Sequence, residues 1–169
     1  MDLRRLSIEE LIARYFQGDY CGFYFNNDYP MDTENELIDR VQTAPSLAGL
    51  LETARAITDE TYRTHLLDTI ADSRLDELWK EPLNDPHKLD FLEREMQAYL
   101  AYVPAADDDL HSGFFKNMPR GRAFLATVHR LQEERRVAVA MGAHTRLGSG
   151  GQLSHLDPYL LAKIMDSHR

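Results

Sequence analysis

The sequence contains a single cysteine, Cys21, among its 169 residues. One thiol cannot form an intramolecular disulfide, and it cannot supply a cysteine-rich zinc site or an iron–sulfur cluster. No run approaches the roughly 18 apolar residues that a membrane-spanning helix needs. We therefore expect a protein of a reducing compartment, cytoplasmic or nuclear, that does not span a membrane.

The chain also has fewer positively charged than negatively charged side chains. The chain has 19 Lys and Arg against 28 Asp and Glu, a net charge of −9. Residues 1–110 hold 10 cations and 24 carboxylates, whereas residues 111–169 hold 9 and 4. We expect the basic segment to pack against the acidic one, since opposite charges attract at short range. The alternative is a basic edge that contacts an acidic partner. The overall negative charge argues against nucleic acid as a partner.

The composition is otherwise that of an ordinary globular protein. Apolar residues make up 43% and charged residues 28% of the chain, close to the usual averages. A chain of this length buries roughly 70% of the surface that its unfolded state exposes, so one core is sufficient. We predict a single helical domain over residues 1–169.

Glu9 and Glu10 interrupt the N-terminal stretch where a signal peptide is continuously apolar, so no signal peptide is expected.

Helix start signals are frequent. Ser7 and Glu10 have the spacing of a capping box, in which each side chain bonds the other residue's backbone amide. Apolar residues then recur at steps of three and four, which predicts a helix over about residues 8–17. Further start signals lie at Thr33 with Glu36, at Ser46, at Asp85-Pro86 and at Asp157-Pro158.

These patterns predict an all-α fold of six to seven helices around one core. Residues 19–30 depart from the helical period and predict a short aromatic-rich segment, irregular or β. Asp72-Ser73 marks a point where one helix can end and another begin. Residues 104–119 predict a loop that separates an acidic body from a basic C-terminal part, and a helix follows over about residues 120–141.

The glycine-rich stretch 148–151 is a candidate phosphate-binding loop, because backbone amides in such a loop can surround an anion. A P-loop requires Lys and Ser or Thr after its last glycine, but Gln152 and Leu153 follow here. A nucleophile elbow around Ser149 would need glycine where Leu147 stands. We interpret the stretch as a flexible connector.

Seven histidines raise the question of a metal site. No pair has the four-residue spacing that puts two imidazoles on one helical face, and we predict neither a metal nor a cofactor. A loop-borne group of His111, His144 and His155 is the alternative. Together with His129 and carboxylates, it would make a small metal-dependent or hydrolytic enzyme.

Two further residue types have side chains that can take part in catalysis. Cys21 would need a nearby base to act as a nucleophile, and a buried, unreactive cysteine is the favoured interpretation. Adjacent carboxylates such as Asp76-Glu77 lie opposite the apolar stripes, which is typical of a solvated helix surface. We predict no catalytic residue.

The stretch from Leu153 to Met165, Leu-Ser-His-Leu-Asp-Pro-Tyr-Leu-Leu-Ala-Lys-Ile-Met, has spaced leucines before a Leu-Leu-x-x-Ile face. It resembles the opening helix of F-box-type adaptor segments and covers 13 residues of the chain. The resemblance implies an adaptor role.

Because every catalytic template fails, we predict a non-catalytic protein–protein interaction, adaptor or assembly protein. A homo-oligomer is compatible with this prediction. Aromatic and arginine side chains serve most often as interface anchors, although the aromatic side chains could instead fill the core. The predicted partner-binding residues are Tyr20, Phe23, Tyr24, Phe25, Arg130, Arg135 and Arg136.

Overall fold

The computed structural model describes the backbone of residues 2–17 and 29–149 and the side chains of residues 2–17 and 32–142. Within these ranges the protein is all-α and has no strand, which confirms the predicted fold class. The same ranges contain eight α-helices, and because α4 and α5 are joined by a π-helical turn into one continuous run, the eight form seven separate helical segments. The segments are α1 (Ile8–Gln17), α2 (Tyr29–Thr43), α3 (Leu47–Ala56), a continuous run of α4 (Glu60–Thr69), a π-helical turn (Ile70–Leu75) and α5 (Asp76–Lys80), then α6 (Pro86–Leu100), α7 (Gly113–Lys116) and α8 (Met118–Ser149), with a 3₁₀ turn at Leu3–Arg5.

The start of α1 matches its prediction. The Ser7 amide donates to Oε2 of Glu10 at 2.6 Å, and the Glu10 amide donates to Oγ of Ser7 at 3.1 Å. These bonds satisfy two amides that the first turn of a helix leaves without an intrahelical partner. The Ser7 amide also lowers the pKa of Glu10 below its ordinary range. Leu11 and Ile12 are fully buried, so α1 packs through the predicted apolar face.

Two other predicted starts are also confirmed. Ser46 caps α3, with its Oγ accepting from the Gly49 amide at 3.2 Å. Pro86 is the first residue of α6, and Asp85 accepts from the His87 amide at 3.0 Å. Proline suits a first helical turn because it lacks the amide that would go unpaired there.

Two predicted boundaries are wrong. Helix α2 begins at Tyr29 with proline at its second position, so Thr33 is an interior residue with 1% of its surface exposed rather than a cap. At Asp72-Ser73 the chain does not break. It widens into the π-helical turn, where Oγ of Ser73 donates to the carbonyl of Thr69 at 2.5 Å. A serine that bonds back to a carbonyl four residues earlier stays within a helix.

The predicted loop over residues 104–119 is shorter than expected. It contains α7, and α8 starts at Met118. Helix α8 extends to Ser149 and therefore includes the first two residues of the predicted glycine-rich connector. Most of the aromatic segment predicted over residues 19–30, namely residues 19–28, lies outside the described part of the chain, as do residues 150–169.

The chain divides into two compact units. The first consists of Met1–Lys80 and Ala98–Met118, and the second of Glu81–Gln97 and Pro119–Arg169. Leucine, isoleucine and aromatic side chains dominate the buried set in the first unit, and leucine, valine and methionine in the second. Buried in the first are Leu11, Ile12, Leu37, Val41, Leu47, Leu50, Leu51, Leu66, Leu67, Ile70, Leu75, Tyr99 and Phe114; buried in the second are Leu89, Leu92, Met96, Val128 and Leu131.

Three arginines of the first unit donate hydrogen bonds to backbone carbonyls at or near the ends of helices. Arg40 donates to the carbonyls of Leu6 and Leu3, the latter at 2.8 Å. Arg74, with 6% of its surface exposed, donates to the carbonyls of Val41 and Ala44 at 2.9 and 2.8 Å. Arg63 donates to the carbonyl of Ile57 at 3.1 Å and to two carboxylates. Helix ends leave carbonyls without intrahelical partners, and these guanidiniums supply donors for such positions.

In the second unit, α6 and α8 pair in antiparallel register. His129 meets Glu93 at 2.9 Å, Gln132 donates to Asp90 at 3.0 Å, and Arg135 donates to the carbonyl of Pro86 at 3.4 Å. Since α6 begins at Pro86, the register leaves α8 to continue for 14 residues past Arg135. That stretch is about 20 Å long at a rise of about 1.5 Å per residue.

Among the described residues, no helix combines the length and the hydrophobicity that a bilayer crossing requires.

Candidate functional site

A groove of about 400 Å³ lies in the first unit between α2 and the continuous helical run from Glu60 to Lys80. Residues four apart on a helix share a face, and α2 contributes three residues at that spacing. The helical run contributes the opposite wall, including residues of the π-helical turn. The lining residues are Glu34, Ile38 and Gln42 from α2, and His65, Asp68, Thr69, Asp72, Ser73 and Glu77 from the run.

The π-helical turn determines which residues reach the groove. Asp72 and Ser73 both lie in this turn, and both line the groove. The next residue, Arg74, is buried and binds the carbonyls of Val41 and Ala44 at the C-terminal end of α2. Arg74 therefore fastens the turn to the helix that forms the other wall. Short π-helical stretches inside α-helices are frequent at functional sites.

The groove is strongly acidic. Four of its residues are carboxylates, and none of the lining residues is a lysine or arginine. Burial raises the pKa of Asp68 above its ordinary value of 3.8, and the charges of Asp72 and Asp109 raise it further, while His65 opposes the shift. Two of the groove carboxylates have a nitrogen-bearing side chain nearby. His65 Nε2 is 3.1 Å from Oε2 of Glu34, and Lys80 Nζ is 3.9 Å from Oε1 of Glu77.

Aromatic rings surround His65. Tyr15 stacks on the imidazole with ring centroids 4.6 Å apart, and Phe16 meets it edge-on at 5.2 Å. Phe16 also stacks on Tyr62 at 5.6 Å and leaves 43% of its surface exposed. Aromatic faces attract cations, more strongly where carboxylates lie close by. The groove and the rings next to it therefore have the chemistry of a cation-binding surface.

The chemistry open to this site is binding and proton transfer. The His65–Glu34 pair can accept or donate a proton, whereas the Ser73 hydroxyl donates to the carbonyl of Thr69. Nowhere in residues 2–17 and 32–142 do three or more His, Cys, Asp or Glu side chains come together in a geometry that would hold a metal ion.

The predicted arginine edge lies on α8. Arg130 is exposed and makes no hydrogen bond or ion pair with any described residue. Arg135 is half-buried and donates to the carbonyl of Pro86. Arg136 is exposed and forms an ion pair with Glu133 at 2.6 Å, which lowers the pKa of Glu133. Arg130 and Arg136 thus face solvent, whereas Arg135 fastens α8 to the start of α6.

The candidate histidines, Cys21 and the candidate aromatic residues from the sequence either do not line the groove or lie outside the described residues. His111 is exposed in the segment between α6 and α7, and His129 pairs with Glu93 on α6. The side chain of His144 and all of His155 lie outside the described residues. Cys21 and the predicted aromatic contacts lie outside them too, namely Tyr20, Phe23, Tyr24 and Phe25.

The groove itself was not predicted from the sequence. The sequence pattern predicts a solvated helix surface for Glu77 and no site for His65. A signal existed in the spacing of His65, Asp68 and Asp72, which lie three and four residues apart on one helical face. Finding the opposite wall required the packing of α2 against the same helical run.

Comparison of the chain with protein-family models gave no match, and comparisons with curated proteins and with solved structures gave none either.

Proposed function

We propose that this protein is a non-catalytic interaction protein whose groove binds a cationic segment of a partner protein. The observation that carries the proposal is the lining of the groove, in which Glu34, Asp68, Asp72 and Glu77 surround a cleft without a lysine or arginine. The raised pKa of Asp68 reflects burial and neighbouring negative charge. A guanidinium or ammonium group from a partner would relieve that repulsion and form charge-assisted hydrogen bonds.

The exposed ring of Phe16 beside the groove supports a peptide over a bare inorganic cation. An arginine side chain is planar and stacks on aromatic faces while it bonds carboxylates. The net charge of −9 favours the approach of a basic partner and disfavours a polyanion.

Three expectations from the sequence belong to this proposal. The first is a cytoplasmic or nuclear setting, which follows from the single cysteine. The second is the adaptor role implied by residues 153–165. The third is a second contact surface that comprises Tyr20, Phe23, Tyr24, Phe25, Arg130, Arg135 and Arg136. All three stay predictions.

The enzyme alternative has one specific observation in its favour, the His65–Glu34 pair at 3.1 Å in the groove. A general base of this kind would give hydrolysis of chromogenic ester or phosphoester substrates, and the rate would fall on substitution His65→Gln. Binding without turnover in this assay favours the interaction proposal.

The test is the affinity of the full chain for a fluorescent peptide of alternating arginine and glycine, measured by anisotropy at low and at physiological salt. We expect Asp68→Asn/Asp72→Asn to weaken binding roughly tenfold or more, since hydrogen bonds to charged groups contribute about 1.5–3 kcal/mol. The control Glu9→Gln/Glu52→Gln changes the net charge equally on α1 and α3, outside the groove. Equal weakening by both double variants would mean that the peptide responds only to net charge and would contradict the proposal.

A further inference from the structure

Helix α8 exposes apolar side chains where a surface helix is normally polar. Val137, Val139 and Met141 are 42%, 57% and 57% exposed. Arg130, Val137 and Met141 are seven and four residues apart, and this spacing places them on one face. Arg130 lies at one end of this face, and Val137 and Met141, which we call the apolar strip, lie at the other end. The face spans about 16 Å along the helix axis.

The α6–α8 register places the apolar strip beyond the first residue of α6. Arg135 lies at the carbonyl of Pro86, the first residue of α6. Val137, Val139 and Met141 lie beyond that point, on the part of α8 that extends past α6. Exposed apolar side chains that share a helix face are a feature of many binding surfaces.

The charge of α8 is opposite to that of the groove. Residues 118–142 contain five arginines and two glutamates, and Arg130 makes no hydrogen bond or ion pair within the described residues. The groove carries four carboxylates and no lysine or arginine in its lining. The same chain therefore presents both an acidic cleft with an exposed aromatic ring beside it and a basic, partly apolar helix face.

We propose that the partner segment of the groove is α8 of a second copy of this chain. Arg130 of one copy supplies the guanidinium for Asp68 and Asp72 of the next, and the strip of Val137 and Met141 packs on the apolar and aromatic rim. Methionine and valine pack well against rings, and the thioether adds a favourable contact with aromatic edges. This inference rests on the proposed function, because it uses the same groove.

Such a contact joins two different surfaces, so a pair of copies still has one unoccupied groove, on the first copy, and one unoccupied α8 face, on the second. Contacts of this head-to-tail type build rings or open chains rather than closed two-fold dimers. Charge complementarity in a partly exposed interface weakens with salt. Self-association should therefore grow with protein concentration and decline with ionic strength.

The experiment is sedimentation velocity on the full chain and two variants, alone and mixed. The groove variant is Asp68→Asn/Asp72→Asn, and the helix variant is Arg130→Gln/Val137→Gln, which changes two exposed residues of α8. We expect the wild type to form species larger than two copies at high concentration and each variant alone to be monomeric. An equimolar mixture should give a complex of two copies, because the groove variant retains the helix and the helix variant retains the groove.

A control variant, Arg94→Gln, removes an exposed arginine of α6 and should associate like the wild type. A wild type that stays monomeric overturns the inference, as does a mixture of the two variants that stays monomeric. Association that survives in either variant alone also overturns it.

The arginine–glycine peptide separates the two proposals. Peptide binding by a monomeric wild type leaves the proposed function standing and removes only the second copy as partner. Failure of the peptide and of self-association together removes both. The helix variant should bind the peptide as tightly as the wild type, since its groove is unchanged.

Discussion

Arg63 donates from Nε to Oδ1 of Asp108 at 2.8 Å, across 45 residues of sequence. Its Nη2 lies 2.6 Å from Oδ1 of Asp107, and its Nη1 donates to the carbonyl of Ile57. The side chain of Asp108 is 1% exposed, whereas that of Asp107 is 49% exposed. These bonds hold the segment between α6 and α7 against α4, and the hydrogen bonds to Asp108 and Asp107 raise the pKa of Arg63 above its ordinary value.

Removing this guanidinium should be strongly destabilising. We expect Arg63→Ala to lower the free energy of unfolding by about 3 kcal/mol, because the Asp108 carboxylate would stay buried without its counterion. Urea unfolding followed by circular dichroism measures the loss. Asp108→Asn should cost more than Asp107→Asn, since only the first carboxylate is buried. Equal losses for the two aspartates would contradict this assignment.

The groove should reduce stability at neutral pH. The folded-state pKa of Asp68 is raised, chiefly by burial. The contribution of the protonated carboxyl is therefore present at low pH and is lost as the pH rises through the folded-state pKa. Asp68→Asn should raise the urea midpoint at neutral pH, and the gain should vanish well below pH 3.8, the ordinary pKa of the carboxyl.

The matched control for this prediction is Glu9→Gln on α1, an exposed carboxylate outside the groove, which should leave the midpoint nearly unchanged. A lower midpoint for Asp68→Asn at neutral pH would mean that the charge of Asp68 is satisfied in the folded protein. That outcome would also weaken the case for a cationic ligand.

Arg74 should be required for the shape of the groove. Arg74→Met removes the donors that satisfy the carbonyls of Val41 and Ala44, and we expect a loss of about 2 kcal/mol. Hydrogen exchange should quicken at the C-terminal end of α2 and in the π-helical turn. Lys80→Met removes an exposed cation from the same helical run and should have little effect on either measurement. Equal effects of the two substitutions would show that Arg74 has no special role.

The buried hydroxyl of Tyr99 should contribute to the first unit. Tyr99 is fully buried, its hydroxyl donates to the carbonyl of Phe114, and its ring packs edge-on against the Phe114 ring at 5.0 Å. Tyr99→Phe should cost about 1–2 kcal/mol by leaving that carbonyl without this donor. Tyr62→Phe, at a partly exposed ring, should change stability by less than about 0.5 kcal/mol in the same thermal or urea unfolding experiment. If Tyr99→Phe left the free energy of unfolding unchanged, the result would contradict the expected role of the hydrogen bond between Tyr99 and Phe114.

Features that depend on near neighbours were predicted correctly. The Ser7–Glu10 box, the Ser46 cap and the Pro86 start each involve hydrogen bonds or steric effects within about three residues, so the local sequence determines them. The all-α fold class follows for the same reason, because apolar spacing and caps agree over most of the chain.

Thr33 shows where local reasoning fails. Its spacing to Glu36 suits a capping box, yet the helix starts four residues earlier and buries Thr33. Asp72-Ser73 likewise has the composition of a helix start, yet it lies in a π-helical turn. In both places the surrounding packing decides between helical interior and helix end, and a short sequence window does not contain that information.

The sequence by itself determined the all-α fold class, the starts of α1, α3 and α6, and the uneven distribution of charge. The tertiary structure alone decided which charges are partners. Arg40, Arg63 and Arg74 each reach an acceptor 30 to 45 residues away, and the groove combines the Glu34 carboxylate of α2 with others from the run Glu60–Lys80. The physical reason is range: helix caps act over one turn of the chain, whereas a binding groove needs side chains that only the folding of distant helices brings together.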